Sequence, residues 1–218
     1  MSTGTGKDLS SMRKNYYLSH LAEDNVSKDP FEQFRLWFEY AQNSNIIEPN
    51  SMILATADKK GIPNARVVLL KSFGPEGFLF YTNYESTKGK ELLENPHAAI
   101  VFYWPNLERQ LRMTGSVQKI SKEESERYFQ SRPRDSQIGT IVSEQSRPVE
   151  NRQALEESFY QLKEELEGKE VPYPENWGGF RFIPDSFEFW QGRPNRLHDR
   201  IQYKIDSGNE WKILRLAP

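Results

Sequence analysis

The chain has 218 residues, a formal net charge of -2 and no cysteine. That length suits one large domain with a core of its own. The charge and a pI near 6.0 exclude a general nucleic-acid or membrane-surface binder, which needs a large cationic excess. Without thiols there are no disulfides, iron–sulfur clusters, thiolate metal sites or cysteine nucleophiles. The three histidines, His20, His97 and His198, are too scattered for a metal centre, so no metal is expected and redox chemistry would need an organic cofactor. Met1–Lys7 is polar, with no apolar stretch of signal-peptide length. The longest apolar run, Ala98 to Trp104, is far below the roughly 20 residues that cross a bilayer. A soluble, cytoplasmic protein without membrane or nucleic-acid partners is expected.

In chain order, Asp29-Pro-Phe-Glu32 reads as a capped helix start, followed by Phe31, Phe34, Phe38 and Ala41 at helical spacing. Strand-like runs follow at Met52–Ala57, Ala65–Ser72, Phe78–Thr82, Ala98–Trp104 and Gln110–Ile120. Asp58-Lys-Lys-Gly61 and Gly74-Pro-Glu-Gly77 are hairpin signals joining the first three. Ser86–Asn95 reads as a short helix stopped by Pro96, and Ser121-Lys-Glu-Glu124 opens a helix ending near Arg132-Pro133. Leu155, Phe159, Leu162 and Leu166 mark an amphipathic helix within Val149–Gly168. Strands return at Phe180–Ile183, Ser186–Gln191, Arg200–Ile205 and Glu210–Leu214. Hairpin-linked strands with inserted helices predict an α+β fold, mostly antiparallel, whose sheet curls into a barrel. No glycine-rich dinucleotide or Walker loop occurs.

Four clusters carry candidate chemistry. Arg196, His198 and Arg200 alternate, which in a strand sets all three on one face, with Leu197, Ile201, Tyr203 and Ile205 facing a core. Such crowded cations suit a phosphorylated ligand, although a solvated strand face has the same pattern. Arg66-Val-Val-Leu-Leu-Lys71 is an apolar run bracketed by cations, predicted as a central strand. Its charged ends either serve ligands or snorkel to solvent. Tyr81-Thr-Asn-Tyr-Glu-Ser-Thr-Lys88 leads from strand to helix, a generic phosphate seat or ordinary capping. Tyr128 and Arg132 share a helix side just before Ser136, where either anions or Asp135 could satisfy the arginines.

These runs, together with Ser131-Arg-Pro-Arg-Asp-Ser-Gln-Ile-Gly139, Glu188-Phe-Trp-Gln-Gly192, Arg196-Leu-His-Asp-Arg200 and the closing Arg215-Leu-Ala-Pro218, resemble the pyridoxine/pyridoxamine 5′-phosphate oxidases. The resemblance extends from about Met12 to the last residue, in the same order and without large gaps. It implies an FMN-binding split β-barrel with peripheral helices, working as a homodimer with FMN between the subunits. It further implies oxidation of pyridoxine 5′-phosphate or pyridoxamine 5′-phosphate to pyridoxal 5′-phosphate, with oxygen as acceptor and hydrogen peroxide released. Residues 19–218 would form the single domain, and 1–18 a flexible segment able to close over substrate.

By the same resemblance, Arg66 and Lys88 would hold the FMN phosphate. Tyr81, Thr82 and the Arg66, Val67, Val68, Leu69 backbone through Lys71 would line the cofactor, completed by Gln110, Gln145, Ser146, Trp190 and Arg200. Lys71, Tyr128, Arg132 and Ser136 would grip the substrate phosphate, with Arg13 and Tyr16 closing over it. Arg196 and His198 would act on the reacting ring. Three departures stand out: Thr87, where many relatives carry an arginine, Lys14-Asn15 and Arg193-Pro194-Asn195. The first predicts weaker FMN retention. The alternatives are a split-barrel flavin reductase, which would not need the four substrate-phosphate residues together, and a non-catalytic pyridoxal phosphate or flavin carrier.

Overall fold

In a computed structural model, which describes residues 8–12 and 14–218, Asp29 caps helix α1 (Pro30–Gln42) by accepting from the Phe31 N–H. Pro30 at the first position forfeits no helical hydrogen bond. Phe34, Trp37, Phe38 and Ala41 form the buried stripe. Phe34 meets Phe73, Phe78 and Phe102 at ring-centroid distances of 4.7, 4.9 and 5.3 Å, so the helix fills the concave side of the sheet with aromatic rings. Glu32 does not complete a capping box; it pairs with Arg35.

Nine strands among the described residues form one sheet, and every pairing in it is antiparallel. They are β1 (Ser51–Ala57), β2 (Pro63–Leu69), β3 (Ser72–Gly74), β4 (Gly77–Asn83), β5 (His97–Trp104), β6 (Arg109–Lys119), β7 (Trp177–Gln191), β8 (Asp199–Ile205) and β9 (Trp211–Arg215). Their order is β2-β1-β5-β6-β7-β4-β3, with β8 added to β7 and β9 to β8. The sheet forks at β7, whose first half pairs with β4 and whose second half pairs with β8, while β6 runs beside both. The two strands expected on either side of Pro184 are thus one. A bulge between Thr114 and Gly115 faces the proline, the kind of position where a sheet tolerates a missing N–H.

β2 is the edge of the sheet, not its centre. Val68 packs against the core while Val67 is 64% exposed. The strand also ends at Leu69, and the Lys71 N–H donates to Leu79 O at 2.8 Å. The Gly74–Gly77 turn therefore joins β3 to β4 rather than β2 to β4.

Helix α2 (Thr87–Glu94) is capped by Ser86, α3 (Lys122–Ser131) by Ser121 and α5 (Arg152–Glu165) by Asn151. Between the last two lies α4 (Arg134–Val142), which the sequence pattern did not reveal. Pro133 lacks the N–H needed to prolong α3, yet a helix start needs none, so one proline both ends α3 and begins α4. A small second core of Phe129, Ile138, Val171 and Trp177 ties these helices to the sheet. No helix among the described residues is long and apolar enough to cross a membrane.

Candidate active site

A cleft of about 770 Å³ opens where β2 and β4 meet α2, α3 and α4. Arg66, Val67, Val68, Leu69, Lys71, Tyr81, Thr82, Lys88, Tyr128, Arg132, Ser136 and Gln145 line it together, with Trp177 as a wall. The break after Leu69 lets Arg66 and Lys71, on opposite faces of an ideal strand, reach one cavity. Tyr128 lies on Tyr81 with ring centroids 3.8 Å apart, and the near-parallel Trp177 ring lies beside the pair, 5.3 Å from Tyr81 and 6.2 Å from Tyr128. The Arg132 guanidinium sits 4.8 Å above the Trp177 ring, and its NH1 donates to Thr140 Oγ1 at 2.7 Å. Asp135 does not neutralise these arginines; it pairs with Lys163, and Arg134 donates to Leu166 and Lys169 carbonyls.

Lys88 is the electrostatic centre of this cleft. It is only 7% exposed. Its Nζ donates to Thr82 Oγ1 at 3.1 Å and approaches Gln145 Oε1 at 3.4 Å and Ser86 Oγ at 3.5 Å. None of these partners is a carboxylate. Burial, and then the neighbouring Arg66 cation, pull its ammonium down to about 8, against the opposing charge of Glu91. Arg66 is held by Thr56 Oγ1 and by Glu91, whose Oε2 lies 3.3 Å from NH2. Lys71 is exposed and forms no ion pair among the described residues. Burial raises the Tyr128 phenol, partly offset by Arg132, so it remains a hydrogen-bond donor at neutral pH. Thr87 is exposed at the start of α2 and does not line the cleft.

Arg196 and His198 lie elsewhere, in a second cleft of about 650 Å³ lined also by Tyr16, Lys14, Arg193 and Asn195. They do not share a strand face with Arg200. Pro194–Arg196 is a 3-10 turn in which Asn195 and Arg196 have φ of 57° and 63°, and β8 begins only at Asp199. This left-handed turn breaks the two-residue alternation, leaving Leu197 67% exposed, whereas Ile201 and Tyr203 are buried as the alternation requires. His198 Nδ1 accepts from the Arg193 N–H at 3.1 Å, which puts the proton of the neutral ring on Nε2. Burial and Arg196 lower its pKa, partly opposed by Asp199.

Gln110, Trp190 and Arg200 form a row across β6, β7 and β8 beside this second cleft. Trp190 touches His198 with ring centroids 4.7 Å apart. Arg200 binds Glu188 through Nε at 2.9 Å and NH2 at 3.1 Å, and Ala217 O through NH1 at 2.7 Å. Ser146 lines neither cleft, and Arg13 lies outside the described residues. The two clefts share no lining residue. Tyr81 of the first pairs with Gly179, and about 35 Å of extended chain separates Gly179 from Trp190 along β7.

The family model described as pyridoxamine 5′-phosphate oxidase matches residues 38–164, and that described as the pyridoxine 5′-phosphate oxidase C-terminal dimerisation region matches 177–218. The chain belongs to the pyridoxamine 5′-phosphate oxidase family. It is 51% identical over 212 residues to the pyridoxine/pyridoxamine 5′-phosphate oxidase of Gloeothece citriformis, covering 97% of this chain and 99% of that one. Among solved structures, PhzG from Burkholderia lata, in complex with tetrahydrophenazine-1-carboxylic acid, superimposes with a TM-score of 0.84 at 30% identity, covering 89% of this chain and 95% of that one. A pyridoxamine 5′-phosphate oxidase-related, FMN binding protein of Nostoc punctiforme gives 0.68 at 18% identity, covering 88% and 100%. The forked sheet with peripheral helices is the split barrel of this oxidase family.

Sequence reasoning missed the carboxylates that organise the site. Glu91 faces Arg66, and Glu188, 4% exposed, takes both Arg200 and Arg112. Although burial alone would raise it, the bonds from Arg200 and Arg112 hold the Glu188 carboxyl below its ordinary range. Glu108, 3% exposed, accepts the Tyr17 and Leu18 N–H groups. Only an isolated glutamate inside a strand pattern, such as Glu188, gives a sequence signal for such a role.

Proposed function

We propose that this protein is a pyridoxal 5′-phosphate synthase: an FMN-dependent homodimeric oxidase acting on pyridoxine 5′-phosphate or pyridoxamine 5′-phosphate in the cytoplasm. The observation that carries the reading is a single cleft holding two sets of phosphate-binding groups, Arg66 with Lys88, and Lys71 with Tyr128, Arg132 and Ser136. The donor set fits FMN. A buried ammonium whose partners are hydroxyls and an amide oxygen is stabilised by a phosphate anion, and Arg66 supplies a guanidinium fork beside it.

FMN, when bound, supplies the two-electron acceptor and passes the electrons to oxygen as hydrogen peroxide. Lys71, Tyr128, Arg132 and Ser136 hold the substrate phosphate and so fix the ring's position. Arg196 stabilises negative charge developing on the substrate, and neutral His198 presents its Nε2 proton to orient it or assist proton movement. Trp190, Gln110 and Arg200 would complete the flavin pocket with Gln145 and Ser146. Tyr16, beside His198, would cover the substrate.

Because one chain keeps these two groups in separate clefts, a second copy brings Arg196 and His198 to the first cleft. An exposed apolar row supports such an assembly: Val67, Ile53 and Val101 are register partners across β2, β1 and β5, and Val67 and Ile53 are exposed. The four substrate-phosphate residues favour the oxidase over a flavin reductase, and the Arg196–His198 pair favours it over a carrier. The test is to add pyridoxamine 5′-phosphate in air to the FMN-loaded protein. Peroxide and pyridoxal 5′-phosphate appear together if the reading is right; a flavin spectrum without product refutes it.

A further inference from the structure

Glu108 is a buried carboxylate that the proposed chemistry does not use. It sits in the turn between β5 and β6 with a left-handed φ of 54° and is 3% exposed. Its Oε2 accepts the Tyr17 N–H at 2.9 Å and the Leu18 N–H at 3.1 Å, and its Oε1 lies 3.4 Å from Lys14 Nζ. Its own carbonyl accepts the Gly192 N–H at 2.8 Å. One residue thus ties residues 14–18 to the end of β7.

Tyr16 lies between those ties. Its ring meets Trp190 and His198 edge-on, with centroids 5.7 and 5.6 Å away. Gly192 is what allows the approach, since a Cβ there would stand 2.7 Å from Tyr16 Cγ. Two further cations tie the same place: Lys14 pairs with Glu108, and Arg193 pairs with Asp199 and donates to Ser19 O at 3.1 Å.

We propose that Glu108 is a positioning residue for the substrate: its carboxylate fixes residues 14–18 so that the Tyr16 ring completes the wall beside His198. A buried carboxylate taking two N–H groups is a charge-assisted contact. Losing its charge frees the segment without touching the phosphate seat on the other cleft. The proposal rests on the reading of Arg196 and His198 as substrate-facing.

The test uses the full-length, FMN-loaded protein and two variants. Glu108→Gln keeps the side chain's shape and removes its charge, whereas Gly192→Ala leaves Glu108 intact and displaces Tyr16 with a methyl group. Amide hydrogen exchange at Tyr17 and Leu18, FMN affinity, and KM and kcat for pyridoxamine 5′-phosphate are measured in each. Exchange should quicken in Glu108→Gln, KM should rise about tenfold in both variants, and FMN affinity should stay within twofold of the parent. Unchanged exchange in Glu108→Gln overturns the proposal, as does an unchanged KM in both variants. An FMN-loaded parent that forms no pyridoxal 5′-phosphate would instead refute the oxidase reading, while exchange would still decide whether Glu108 holds the segment.

Discussion

With Lys88 in the proposed FMN phosphate seat, the cofactor's affinity should depend on pH. Burial and Arg66 bring its ammonium to about 8, below the ordinary lysine value near 10.4. A bound phosphate dianion offsets both effects and returns the group to its ordinary range or above, so FMN binding takes up a proton wherever the empty site has lost one. A difference of about 2.5 units corresponds to about 3 kcal/mol of coupling. Near pH 7 Lys88 is charged in both states and affinity is full. By about pH 9 the empty site is mostly neutral, and the dissociation constant should have risen about tenfold. Calorimetry in buffers of different ionisation enthalpy should show close to one proton taken up at that pH. The linkage has the matching sign for folding. The unfolded chain binds more protons than the empty native state between the two pKa values, so the FMN-free protein gains stability as pH rises through that window. Lys88→Met should weaken FMN binding about 10- to 100-fold near pH 7 and flatten the profile. An FMN affinity equal at pH 7 and about pH 9 in the parent, with no proton uptake, would refute the reasoning.

Arg66→Ala should weaken FMN binding about tenfold or more, seen in a fluorescence titration; unchanged affinity removes Arg66 from the phosphate seat. Arg196→Ala should lower turnover and substrate affinity while the purified protein stays yellow, and loss of flavin with normal catalysis on FMN addition would reverse the assignment. Ile53→Lys places a charge in the exposed apolar row and should raise the dimer dissociation constant about a hundredfold or more, with activity falling in step in sedimentation and rate measurements. A monomeric variant with full activity would show that one chain suffices.

The strands and capped helices were legible because their signals are local: Asp29, Ser86 and Ser121 cap where the sequence places caps. The cluster of Thr82, Ser86 and Lys88, proposed above as a phosphate seat, was legible as a cluster for the same reason, since it lies within one strand-to-helix turn. Two features escaped because one residue changed the backbone's period. Pro133 starts a helix where it was expected only to end one, and the left-handed Asn195 and Arg196 turn an apparent strand into a loop. The edge position of β2 was hidden because an apolar run reads alike whether its outer face meets a core or another chain. The carboxylates escaped for a further reason. Glu188 and Arg112 are 76 positions apart, and Glu108 and Leu18 are 90 apart, so no local periodicity connects them.

Those long-range carboxylates also explain how the proposed site can be ready before any ligand arrives. Arg66 rests on Thr56 and Glu91, Arg200 on Glu188, and His198 on the Arg193 N–H. Each working side chain is therefore oriented by its own chain, and ligand binding need not freeze it, which spares about 0.5–1.5 kcal/mol per side chain. Arg196 and Lys71 are the exceptions, exposed and without an ion pair among the described residues. In the proposed dimer both face the substrate, together with the anchored His198 and Arg132, whereas the anchored Arg66 and Arg200 face the cofactor.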